Sequence, residues 1–134
     1  MTDTAVRETV DTLFRRIREG ADATEIARLF SEDVDWFIAG DTATVPWIGR
    51  KSGRHGVAEF FRQLREHVAP ERFAIDAILV GQGRAVVLGD LATRVKRTGR
   101  LIQTAFAFDI GVRDGLIVRY HMLEDSWAVA EATR

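Results

Sequence analysis

The chain has 134 residues, 46% hydrophobic and 29% charged, an ordinary balance for one globular domain with a single core. Nineteen basic residues against twenty acidic ones leave a formal charge of −1, which argues against a nucleic-acid binder driven by bulk charge. Cysteine is absent, so disulfides, thiolate nucleophiles and cysteine-based zinc sites are excluded.

The first segment, Met1 to Arg18, alternates charged and apolar residues and holds no continuous apolar run, so neither a targeting segment nor a membrane span is expected, and the default location is cytoplasmic. Val6, Val10, Leu13, Phe14 and Ile17 make one apolar stripe at helical spacing. Thr2, Asp3 and Thr4 offer N-caps, and Gly20 offers a stop. A shorter helix follows, with Asp22 as cap and Ile26, Leu29 and Phe30 turned inward. Val34, Trp36 and Ile38 then alternate with Asp35 and Phe37 as a short strand. The stretch from Ala39 to Gly56 reads as irregular, with Trp47 its one large apolar residue. A third helix carries Val57, Phe60, Phe61, Leu64 and Val68 on one stripe and is ended by Pro70.

The period then changes. Phe73–Val80, Ala85–Lys96, Leu101–Val112 and Leu116–Glu124 are rich in β-branched and aromatic residues. Gly81-Gln82-Gly83, Thr98-Gly99 and Asp114-Gly115 separate them as turns. The expected architecture is α+β: three N-terminal helices packed on one face of a curved antiparallel sheet, with residues 1–134 forming one domain.

Two hairpins decide which residues face the helices. A three-residue bulged turn at Arg113-Asp114-Gly115 pairs Phe108 with Tyr120 and Phe106 with Met122. A two-residue type I′ turn at Asp114-Gly115 is the rival and shifts every pair by one. On the bulged reading Thr104, Phe106, Phe108, Ile110, Val118, Tyr120, Met122 and Glu124 face the helices. Gln103, Ala105, Ala107, Asp109, Arg119, His121 and Leu123 face away. At Thr98-Gly99 the signals conflict. The favoured bulged turn sends Leu88, Asp90, Ala92 and Arg94 inward, yet Val87, Leu91, Thr93 and Val95 are the more apolar set. The register there stays open; an inward Asp90 would have to pair with Arg94 or take a raised pKa.

These elements, together with Leu29-Phe30-Ser31-Glu32-Asp33-Val34, Pro46-Trp47-Ile48-Gly49, Gly56-Val57-Ala58-Glu59-Phe60-Phe61 and Val112-Arg113-Asp114-Gly115-Leu116-Ile117, resemble the SnoaL-like branch of the NTF2-like superfamily along nearly the whole chain. The resemblance implies a cone-shaped roll enclosing an apolar pocket, usually dimeric through the sheet's other face. The branch hosts isomerases, cyclases, epoxide hydrolases, dehydratases and plain binders. By resemblance, the ketosteroid isomerase tyrosine, aspartate base and protonated aspartate fall on Phe14, Ile38 and Phe108, and the acid that cyclases and epoxide hydrolases carry on the last strand falls near Met122. All four residues are apolar, so those mechanisms do not transfer, and turnover of a 3-oxo-Δ5 steroid is not expected.

What remains is a pocket expected to be lined by Phe14, Trp36, Ile38, Trp47, Phe61, Leu64, Phe106, Phe108 and Met122, taking a small hydrophobic cyclic molecule. Asp90, Tyr120 and Glu124 are the candidate catalytic groups. The bland reading of Tyr120 is a packed ring, and that of Glu124 a carboxylate at the wet end of its strand. Neither a metal nor a cofactor is implied: His55, His67 and His121 lack helical ligand spacing, and Gly49, Gly53 and Gly56 do not follow a strand in a βαβ unit. The basic tip of Arg94, Lys96, Arg97 and Arg100 reads as a solvated hairpin end. Three functions compete: a small-molecule enzyme of isomerase, cyclase or hydrolase type, a noncatalytic ligand binder, and a subunit working through protein contacts. A homodimer through the outer sheet face is expected, since small residues there allow close approach and Leu123 needs cover.

Overall fold

The computed structural model describes residues 2–134. Helices α1 (Asp3–Arg18), α2 (Ala23–Ala27) and α3 (Gly53–His67) lie on a sheet of six strands. The strands are β1 (Phe30–Ile38), β2 (Gly49–Lys51), β3 (Val68–Gly81), β4 (Arg84–Val95), β5 (Leu101–Arg113) and β6 (Leu116–Glu124), and a fourth helix, α4 (Ser126–Thr133), closes the chain order. Their order across the sheet is β2-β1-β6-β5-β4-β3. The fold is the α+β NTF2-like roll. Among the described residues no helix is long and apolar enough to cross a membrane.

The helices follow their apolar stripes. Val6, Val10, Leu13 and Phe14 of α1 are buried, and the Thr2 hydroxyl accepts from the Ala5 N–H as its cap. In α3 Val57, Ala58, Phe60 and Phe61 are buried. That helix ends at His67, earlier than expected. Val68 already begins β3, and Pro70 sits within that strand, not at a helix stop. Since β3 is an edge, a residue with no N–H to donate is tolerated there.

The sheet differs from an all-antiparallel meander at one seam. β1 runs parallel to β6, with Trp36 opposite Tyr120 and Ile38 opposite Met122. β2, drawn from the stretch read as irregular, pairs antiparallel with β1.

The hairpin registers settle the faces. At the β5–β6 tip both Asp114 (φ 53°) and Gly115 (φ 76°) are left-handed, the type I′ rival of the expected bulged turn. A bulge then skips Val118, because Gly111 pairs with Arg119 while Val112 pairs with Ile117. The two single shifts add to two, so Phe106 pairs with Glu124 and Phe108 with Met122, and the inner face keeps its members apart from Val118. Ile117 is buried in its place.

On β4 the apolar set wins. Val87 pairs with Phe108, Gly89 with Phe106 and Leu91 with Thr104, so these residues face the helices and Asp90, Ala92 and Arg94 face away. The loop is longer than a bulged three-residue turn: the Val95 N–H donates to the Arg100 carbonyl, and the Gly99 N–H to that of Val95.

Helix α4 had no amphipathic signature to announce it, because Val129, Ala130, Ala132 and Thr133 are all buried and the helix spans 8 residues. Asp125 caps its start, accepting from the Ala128 N–H at 3.0 Å. Its C-terminal carbonyls are met by the β4–β5 tip, which is therefore not simply solvated. Arg97 donates to the Thr133 carbonyl, Thr98 Oγ1 to that of Ala132 at 2.6 Å, and Arg100 to that of Glu131 at 3.0 Å. Cationic donors there also suit the negative end of the helix dipole.

Candidate functional site

Between the concave sheet face and the helices lies a cavity of about 740 Å³, ample for a polycyclic small molecule. Its floor is Ile38 of β1, Leu91 and Thr93 of β4, Phe108 of β5, and Tyr120, Met122 and Glu124 of β6. Phe14 and Ile17 of α1, Phe60, Phe61 and Leu64 of α3, and Trp47 and Ile48 of the loop cover it, with Val129 of α4 at one end. Phe14 and Phe108 meet edge to face at 5.4 Å across this space.

Of the residues expected at the pocket, Phe14, Ile38, Trp47, Phe61, Leu64, Phe108, Tyr120, Met122 and Glu124 line this cavity. Trp36 and Phe106 do not. Trp36 lies behind the wall, stacked on Tyr120 at 4.2 Å and packed on Phe60 at 4.8 Å. Phe106 stacks on Phe73 at 4.9 Å, and it is Phe73 that reaches the cavity. Both expected residues face inward but are spent on supporting the rings that form the lining.

Asp90 is outside the site altogether. It lies on the opposite sheet face, where Arg72 Nε donates to its carboxylate at 2.7 Å. That hydrogen bond holds Asp90 below the usual carboxylate range. Arg94 does not pair with it across Ala92; its partner is Glu71, at 2.6 Å.

Glu124 is the chemically unusual group. Its carboxyl has no hydrogen-bond partner among the described residues and sits in the apolar cavity wall. Burial pushes its pKa from 4.5 up to about 7, and neighbouring Asp125 adds repulsion. Glu124 escapes the wet end of its strand because the chain folds back immediately after it. The Asp125 N–H donates to Thr104 Oγ1 at 2.9 Å, and α4 then brings Val129 over the cavity.

Tyr120, two positions inward on the same face, is fully enclosed. Burial, and secondarily the charge of Glu124, raise its phenol above the ordinary value, so it remains a hydrogen-bond donor at any ordinary pH. About 13 Å of strand separates the two Cα atoms, so one ligand can meet them at different points. Thr93 adds a buried hydroxyl without a partner on the same wall. Sequence reasoning missed Thr93, Phe73 and Val129, since the β4 register and the return of α4 decide all three. Among the described residues no group of three His, Cys, Asp or Glu side chains is arranged to hold a metal ion.

The outer sheet face carries a separate charged network. His121 Nε2 donates to Asp35 at 2.9 Å, Arg119 bridges Asp35 at 3.2 Å and Asp109 at 2.9 Å, and Arg84 meets Asp109 at 2.5 Å. The His121 hydrogen bond is the largest influence on Asp35 and lowers its pKa. Burial opposes ionisation of Asp109, but Arg84 and Arg119 outweigh it and hold that carboxyl low.

An α+β roll of helices on a curved six-strand sheet defines a protein of NTF2-like architecture. The family model of the SnoaL-like domain matches residues 10–120, and the chain belongs to that family. It is similar to an NTF2-like protein from Burkholderia xenovorans LB400, at 25% identity and TM-score 0.89, over 100% of this chain and 99% of that one. It is also similar in structure to TerC co-crystallised with polyporic acid, at 20% identity and TM-score 0.81, over 96% and 98% of the two chains. A third match is a Catenulispora acidiphila DSM 44928 protein of ketosteroid isomerase-like fold in complex with trimethylamine, at 10% identity and TM-score 0.74, over 92% and 91%. No curated protein matches the chain.

Proposed function

We propose that the cavity binds a small apolar ring-containing molecule and that Glu124 transfers a proton on it, in the manner of an isomerase, cyclase or hydrolase with its own arrangement of groups. The observation that carries this reading is a carboxyl without a hydrogen-bond partner in an apolar wall, where burial pushes its pKa up to about 7. A group so poised is partly ionised at neutral pH and serves as either base or acid. Ordinary structural carboxylates are paired, as Asp35, Asp90 and Asp109 are here. Tyr120 supplies a hydroxyl to orient the ligand. By resemblance, the isomerases' tyrosine and two aspartates have no counterpart at Phe14, Ile38 and Phe108, nor has the last-strand acid of the cyclases and epoxide hydrolases near Met122. TerC, of the same fold, is co-crystallised with polyporic acid, which supports a role for the cavity in holding an organic ligand.

A generic carbon-acid probe tests the proton transfer. In 5-nitrobenzisoxazole a base takes the C3 proton, the C–H electron pair closes the nitrile, and the N–O bond breaks to release a coloured phenolate. The expected rate rises through about pH 7 to a plateau as Glu124 ionises. Glu124→Gln lowers it by about 10²-fold or more. Equal rates for the two proteins would overturn the catalytic reading and leave noncatalytic binding, which the apolar residues at Phe14, Ile38, Phe108 and Met122 favour.

The outer face supports a homodimer. Leu123 is 60% exposed there, beside the small residues Ala105 and Ala107 and the residues Gln103, Arg119 and His121. Sedimentation at micromolar concentration is expected to give the dimer mass; monomer alone would refute it.

A further inference from the structure

We propose that the molecule this cavity takes carries one anionic group on its apolar ring body, and that Arg18, Arg65 and Lys96 hold that group at the mouth. The inference rests on the cavity being a ligand site and adds the chemical class of the ligand.

The three cations come from three elements, the ends of α1 and α3 and the residue after β4, and all three line the cavity while remaining exposed. None forms an ion pair among the described residues. Arg65 donates to the Ala21 carbonyl at 2.6 Å, tying α3 to the turn between α1 and α2. Lys96 Nζ donates to the Arg65 main-chain carbonyl at 2.7 Å, which holds the lysine against the last turn of α3. The other charged residues at the mouth are neutralised in pairs, Arg72 by Asp90 and Glu71 by Arg94.

Cations at helix C-termini are common, because the dipole favours them, and that is the plain reading of Arg18 and Arg65. It does not balance the charge. Two helix ends supply about half a negative charge each, against three positive groups. Roughly two positive charges remain, next to an apolar interior of low polarisability, and a bound ring would exclude water from between them and its own head group. Glu19 and Glu66, next in sequence to Arg18 and Arg65, are exposed and form no part of the cavity wall. The polarity also fixes the orientation. The anionic group stays at the mouth, because the inner wall is mostly apolar, with Phe14, Phe61 and Phe108, and its polar groups are the uncharged Tyr120 hydroxyl and the acid Glu124, which repels an anion once ionised. The ring end then lies toward Glu124.

Two fluorescent probes with the same ring systems separate charge from apolarity: 1-anilinonaphthalene-8-sulfonate is an anion, and N-phenyl-1-naphthylamine is neutral. The anion is expected to bind about tenfold more tightly than the neutral probe, with the preference shrinking as salt is added. In the triple variant Arg18→Gln, Arg65→Gln, Lys96→Gln the anion should fall to the affinity of the neutral probe, whose own binding stays unchanged. Arg18→Gln alone breaks no hydrogen bond and guards against a folding defect; it should cost the anion roughly threefold. If the neutral probe binds as well as the anion, or the triple variant keeps the preference, the anionic class is wrong and the ligand site stands. If neither probe binds, the ligand site itself fails and the inference falls with it.

Discussion

Glu124→Gln will make the protein more stable than the wild type at pH 8 and equally stable near pH 4.5. The carboxyl is neutral in the folded state up to about pH 7 but ionises from 4.5 upward once unfolding exposes it. Between those values the folded chain holds a proton that the unfolded chain has lost, so wild-type stability falls as pH rises through this window. Above it both states are ionised and the deficit is constant, at about 3 kcal/mol. The carboxamide has nearly the same size and no charge, so its profile should be flat there. Asp35 and Asp109 act with the opposite sign: their lowered pKa values stabilise the fold above the unfolded value of 3.8, and that stability is lost as pH falls below it. The two effects do not overlap. Urea unfolding of both proteins at pH 4.5 and pH 8 reads the difference, and parallel profiles would show that Glu124 is not the buried acid described here.

Gly89→Ala, by contrast, should be strongly destabilising. Gly89 faces inward at the centre of β4, opposite Ile75, next to an irregularity in β3 between Ile75 and Ala77. A Cβ there would run into the Ala74 carbonyl oxygen and lie 2.6 Å from the Phe106 ring. The oxygen belongs to the partner strand's backbone and cannot swing aside, while Phe106 is fixed by its stack on Phe73. Relief therefore requires breaking the β3–β4 ladder or displacing the rings beneath the cavity, at a cost of about 3 kcal/mol or more. Gly81→Ala is the matching control, since a Cβ at Gly81 meets nothing within 4 Å. It should change stability by less than about 0.5 kcal/mol. A Gly89→Ala protein as stable as the control would mean that the sheet does not need this close approach in order to bend.

Local period carried much of the fold into view. The stripes of α1 and α3 and the alternation around Trp36 belong to single segments, and each element formed on its pattern, although Val68 left the α3 stripe for β3 and Phe30 left the second helix for β1. The inner faces of β5 and β6 were legible through a cancellation, the turn and the bulge at Val118 each shifting the register by one. On β4 no such cancellation helped. Thr98 at the turn argued for one face and the apolar residues for the other, and only the longer loop ending in Gly99 (φ 73°) reconciles them. Asp90 was misplaced for that reason.

The site was legible where it is made of periodic aromatics, as at Phe14, Phe61 and Phe108. It was not legible where distant segments cooperate. Nothing near Glu124 in the sequence says that it will be buried; α4 does that, and α4 is held by Arg97, Thr98 and Arg100 from another hairpin. The three cations of the mouth are likewise scattered over 79 positions of the chain, from Arg18 to Lys96 with Arg65 between.

The parallel seam between β1 and β6 sets a timetable for synthesis. Asp35 meets Arg119 and His121 across 84 and 86 positions, so the second strand of that seam leaves the ribosome long after the first. At about 5–20 residues per second the gap is on the order of 4–17 seconds. During it β1, whose inner face carries Phe30, Trp36 and Ile38, has α3 and the short β2 beside it but not the Tyr120 ring on which Trp36 finally stacks. A nascent chain halted before residue 116 would therefore present the free edge and aromatic face of β1 to holdase chaperones, and lengthening the pause should raise aggregation before it lowers the stability of any finished molecule.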